Sequence, residues 1–172
     1  MKRLILLLLA VSVSLAAQDR YALKAPNGLA FADIRSYDTW QIVAPSQTDD
    51  GIKSIVANPT MIKAYRQGVP ENGKPFPDGS IIVKTEWTKK KNTASPYNVL
   101  VPDTLKSVSF IEKDSKRFPD TNGWGYAQFT YDAASDSFKV VGSGAAFGKT
   151  ECHQCHIRVK ASDYIFTRYA KR

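Results

Sequence analysis

The chain has 172 residues, 43% hydrophobic and 23% charged, with 24 Lys and Arg against 16 Asp and Glu for a formal charge of +8. That length allows one domain of ordinary size with a real core, and the composition excludes a wholly disordered chain or a multi-span membrane protein. Both Cys and both His fall in Cys152-His153-Gln154-Cys155-His156, so the soft-ligand chemistry sits at one point.

Residues 1–17 read as an export signal. Lys2 and Arg3 precede an apolar run from Leu4 to Ala17, and the small Ser14 and Ala16 allow cleavage near Ala16 or Ala17. The run is short for a membrane span and meets the polar Gln18-Asp19-Arg20, so no stable span is expected and the domain over 18–172 is placed in the periplasm or otherwise outside the cytoplasm. Loss of Lys2 and Arg3 leaves this domain still basic, at about +6. No Gly-rich phosphate loop, zinc-finger spacing or basic helix accompanies that charge, so nucleic acid is not an expected partner. Lys89-Lys90-Lys91-Asn92 reads as the solvated tip of a hairpin, with docking to an acidic redox partner as the weaker alternative.

Along the chain, segments 39–43, 52–57, 80–87, 105–112, 124–131 and 138–141 alternate or are rich in β-formers, and Gly and Pro punctuate them. One helix is announced after the second of these. Asn58 is its N-cap, Pro59 its first position, Met61 and Tyr65 share a face, and Gly68 stands where the chain leaves. There is no internal repeat. The expected class is α+β: a mainly antiparallel β-sheet with a few helices, and a haem-attachment motif near the C-terminus.

That motif, Cys152 to His156, has the Cys-x-x-Cys-His spacing of c-type haem attachment. Two thiols three positions apart can each add to one porphyrin vinyl group, and His156 then falls under the ring, where an imidazole nitrogen binds the iron. Competing readings fit less well. A thioredoxin-like pair wants a βαβ context, a zinc site lacks a fourth clear ligand, and a local disulfide leaves His156 unexplained. His153, inside the attachment loop, reads as a partly exposed polar residue, and Met61 reads as helix packing. Neither is a convincing second axial ligand. The iron is therefore expected to keep an open or water-bound side, suited to small ligands more than to pure electron transfer.

The motif and the following Asp163-Tyr164-Ile165-Phe166-Thr167-Arg168-Tyr169 resemble the C-terminal end of the cytochrome P460 family. Phe76-Pro77-Asp78-Gly79-Ser80-Ile81-Ile82-Val83-Lys84 and Lys113-Asp114-Ser115-Lys116-Arg117-Phe118 resemble two further blocks of that family, in order and with compatible spacing. The resemblance implies a homodimeric, mainly antiparallel β fold around one five-coordinate haem c. It also implies that Lys84 matches a strand lysine cross-linked to the porphyrin edge. Alternation puts Ile82, Lys84 and Glu86 on one face of that strand; an ordinary strand lysine on a wet face is the alternative. Family members that oxidise hydroxylamine carry a distal arginine and a distal carboxylate. Counted from the shared blocks, these positions fall on Lys53 and at or next to Ser109, with Phe110 following. Lysine keeps the charge but loses the planar fork of donors. Ser109 cannot act as a carboxylate base, and Glu112, the nearest acid in sequence, faces the other way on a regular strand. Phe110 offers either an aromatic distal side, as in the gas-binding cytochrome c′-beta branch, or ordinary core packing. Two functions follow as expectations: oxidation of small nitrogen species such as hydroxylamine, or non-catalytic binding of nitric oxide or carbon monoxide.

Overall fold

The computed structural model describes residues 18–171, so the leader expected over 1–17 lies outside the described residues. Six strands form one antiparallel sheet in sequence order: β1 (Gln41–Thr48), β2 (Gly51–Ala57), β3 (Ile81–Lys91), β4 (Leu100–Lys113), β5 (Trp124–Asp132) and β6 (Ser137–Val140). Every neighbour in space is a neighbour in sequence, so short turns and one helix suffice to connect them. The fold is α+β and mainly antiparallel β, as the alternation pattern predicts.

Helix α1 (Pro59–Arg66) bridges β2 and β3. The Asn58 side chain caps it by accepting from the Met61 amide at 3.0 Å, accepts from the Ile81 amide at 3.2 Å, and donates to the Gly79 carbonyl at 2.7 Å. Gly68 takes φ +86 just beyond the last turn, a conformation that costs glycine nothing.

The sheet has two covered faces, and residue parity assigns each side chain to one of them. The rung Ile55, Lys84 and Ser109 and the rung Ala57, Ile82, Ile111 and Tyr126 point one way. Their apolar members pack with Met61, Ile62 and Tyr65 of α1 and with Ile165 from the C-terminal segment. The rung Val56, Val83, Phe110 and Ala127 points the other way. It lies under residues 20–40, whose short 3-10 turns bring Phe31 to 5.0 Å from both Phe129 and Phe138 between ring centres. Where the chain turns into β5, a Cβ on Gly125 would stand 2.3 Å from the Phe118 ring, so only glycine fits.

The hairpin tip differs from expectation. Lys89, Lys90 and Lys91 belong to β3 and pair with Pro102, Val101 and Leu100 of β4, and the tip is 92–99. Beyond Trp87, where β2 ends its pairing, β3 and β4 continue as a two-stranded ribbon, and Lys90 is tied to Asp103 at 2.7 Å.

Candidate functional site

After β6 the chain winds through a π-helical segment (Gly148–His153), a single α turn, α2 (Gln154–His156), and a 3-10 stretch (Ile157–Ser162). On such a winding, positions three and four apart are neighbours, so Cys155 and His156 both flank Cys152. Cys152 packs against the core beside α1, Cys155 is exposed, and the two thiols are not bonded to each other.

His156 is fixed from behind. Its Nδ1 stands 2.6 Å from the Tyr164 carbonyl, which can only accept, so Nδ1 carries the proton and Nε2 is left as the bare nitrogen. Burial pushes the imidazole below its ordinary value, only partly offset by that bond, so it is held neutral, the form that binds a metal.

His156 lines a cavity of 160 Å³ between the sheet and the C-terminal segment. Ile55, Ile82, Ile111, Ile165 and Phe166 make it apolar, while Lys84 and Ser109 add polar groups from adjacent strands. Lys84 is half-buried, and desolvation lowers its ammonium pKa; the nearby Glu86 carboxylate and Cys152 thiol act against that shift, Lys53 and Lys106 with it. Lys84, far away in sequence, thus meets Cys152 and His156 of the motif at one site. An apolar slot edged by a neutral imidazole, with one thiol beside its lysine and a second exposed three residues on, offers the donors that a c-type haem requires, and these residues fit it. A larger surface groove of 640 Å³, bordered by Tyr21, Leu105 and Phe138, contains neither Cys nor His.

The remaining expected site residues divide by face. Lys53 pairs with Glu86 across β2 and β3, one rung from Lys84 and on its side. Its ammonium lies 3.9 Å from the Glu86 carboxylate. Phe110 borders the cavity, yet its ring is buried on the opposite face, stacked on Phe129 at 6.3 Å and 10°. Ser109, one residue earlier, faces the slot. Met61 is fully buried in the core and does not line it.

One residue takes a different place from the sequence reading, and another lies on the expected face but was given no part in the site. His153 is 4% exposed rather than an outlying polar residue. Its Nδ1 bonds the Tyr126 hydroxyl at 2.9 Å, and its ring stacks on Tyr164 at 5.0 Å. Nothing local in the sequence shows that Tyr126, 27 residues earlier, lies opposite. The other is Glu86, an acid that counting from family blocks overlooks. It bonds Lys106 at 3.0 Å and lies 3.9 Å from Lys53 and 4.0 Å from Lys84. Burial pushes its carboxyl up, but the Lys106 bond and the three ammonium groups outweigh this, so it lies below the ordinary range. The alternation that puts Glu86 beside Lys84 was the available signal.

A comparison with curated proteins found no match. Among the described residues no helix is long and apolar enough to cross a membrane. Residues 34–167 match the sequence model of the family described as Cytochrome P460, a span that takes in all six strands, the slot and the whole Cys152 to His156 motif. The chain belongs to the cytochrome P460 family and is a c-type haem cytochrome of that kind.

Proposed function

We propose that this protein is exported and carries one haem c, attached through Cys152 and Cys155, ligated by His156 and cross-linked to Lys84, with an open distal side that binds and oxidises hydroxylamine or a related small nitrogen species. The observation that carries this reading is the convergence of Lys84 on the slot shared with His156 and next to Cys152. When bound, the group would supply an iron that can take up a small ligand and change its valence. The chain supplies the rest. His156 would hold the iron through a nitrogen kept bare by the Tyr164 carbonyl. A desolvated Lys84 amine is easier to deprotonate, and a neutral amine is the form that makes covalent bonds. Ser109 offers a hydroxyl that can donate to or accept from a ligand at the slot. Homodimer formation and an acidic redox partner belong to the same reading. They rest on the family resemblance and on the basic balance of the chain.

The second reading, a nitric oxide or carbon monoxide binder of the cytochrome c′-beta type, is favoured by one observation. No carboxylate stands at Ser109, and Glu86 is already engaged by three lysines, which leaves it a weak proton acceptor.

Mass analysis of proteolysed protein separates the two. A Lys84 peptide joined to the haem peptide is expected; free Lys84 moves the binder ahead. Ferric protein given hydroxylamine and an electron acceptor should then reduce the acceptor, and no reduction removes the oxidase reading even with the cross-link present.

A further inference from the structure

Beneath the motif lies an ion pair that the haem reading does not use. Lys113, near the end of β4, meets Asp163 with Nζ 3.0 Å and 3.2 Å from the two carboxylate oxygens, and the side chains are only 7% and 10% exposed. The same Nζ donates to the Asn122 carbonyl at 2.9 Å and lies 4.8 Å from the centre of the Trp124 ring. Asp163 also accepts from the Phe76 amide at 2.8 Å.

Asp163 and Tyr164 are consecutive non-glycine residues with φ of +46 and +65, a left-handed turn that side chains disfavour and surrounding structure must hold. Its next carbonyl, that of Tyr164, is the one His156 Nδ1 reaches. The Tyr164 ring is held separately, by stacking on His153, which Tyr126 anchors to β5. A buried ion pair adds little net stability over a well-packed apolar pair, and here what it does is join the turn to the end of β4.

We propose that the buried Lys113 and Asp163 pair is a positioning device for the proximal histidine, clamping the turn to β4 so that the Tyr164 carbonyl stays on His156 Nδ1. The proposal rests on His156 being the axial ligand. A firm bond at Nδ1 makes the imidazole a stronger donor at Nε2, which strengthens the iron bond and favours ferric iron. Lys113 and Asp163 therefore set the iron's properties without touching it.

The test uses the holoprotein and the double variant Lys113→Met with Asp163→Asn, which removes both charges at similar volume and keeps an acceptor for the Phe76 amide. Resonance Raman of the ferrous protein should show the iron–histidine stretch shifted down, and the midpoint potential should rise. Lys116→Met, an exposed lysine three residues along, should change neither. If the double variant fails to fold, Asp163→Asn alone is read by the same band. A variant with lowered thermal stability but an unmoved band and potential overturns the clamp and leaves a structural anchor. Wild-type protein whose mass shows no covalent haem would instead remove the reading on which the clamp rests.

Discussion

One residue of parity separates Ser109 from Phe110, and it decides what each does. Ser109 shares a rung with Lys84 and looks into the slot, while Phe110 shares one with Val83 and Ala127 and is 1% exposed within the opposite core. Removing a fully buried phenyl ring costs about 3–5 kcal/mol through lost transfer energy and the cavity left behind. Phe110→Ala should therefore lower the urea midpoint by a corresponding amount, while carbon monoxide association with the folded ferrous holoprotein stays near wild type. Ser109→Phe should do the reverse, slowing association with much less effect on the midpoint. Equal slowing by Phe110→Ala would mean that its ring governs the slot after all. The same parity makes Glu86 legible in hindsight, because it was already assigned to the face of Lys84. His153 was not legible, since its burial depends on a strand 27 residues away that supplies both a hydroxyl partner and a wall.

At the scale of elements, the sheet was readable because its strands are rich in β-formers or alternate against two different cores, a signal carried by the residues themselves. The helix was readable because Asn58, Pro59 and Gly68 are capping residues in capping positions. The lysine ribbon was not, because Lys89 to Lys91 have no apolar face to alternate; their strand form comes from pairing with Leu100 to Pro102. The 3-10 turns over 20–40 were missed for a similar reason. They are too short for a period, and they exist to seat Phe31 and Ile34 on the sheet. Asn58 gives the sharpest test at this scale, since one side chain closes the helix and ties it to the start of β3. Loss of an N-cap alone costs about 0.5–2 kcal/mol. Asn58→Ala also strands the Ile81 amide, so it should fall at the upper end of that range by urea denaturation, with Asn58→Asp retaining more than half of the stability. An effect no larger than that of an exposed surface alanine would show that the cap is dispensable.

At the scale of the whole molecule, the sheet has one face toward the Cys152 to His156 motif and one plain core face, and the response to acid belongs to the first. His153 and His156 both lie there, and burial lowers both below the ordinary imidazole value. The unfolded chain therefore takes up protons near pH 6.5 that the folded chain refuses. In that window the unfolded state binds more protons, so stability falls as pH drops below about 6.5 and stops falling once the folded pKa values are passed. The proposed coordination of His156 to iron would act in the same direction, since a ligated imidazole also refuses the proton. Glu86, lowered by its three lysines, adds a separate loss only in the carboxylate range. Urea midpoints between pH 7.5 and 5.5 should decline for the wild-type holoprotein. His153→Gln should start lower, having lost the ring stacked on Tyr164, but decline less steeply, because one of the two titrating groups is gone. An unchanged slope in that variant would take His153 out of the acid response and leave His156, bonded to the Tyr164 carbonyl, as the imidazole that carries it.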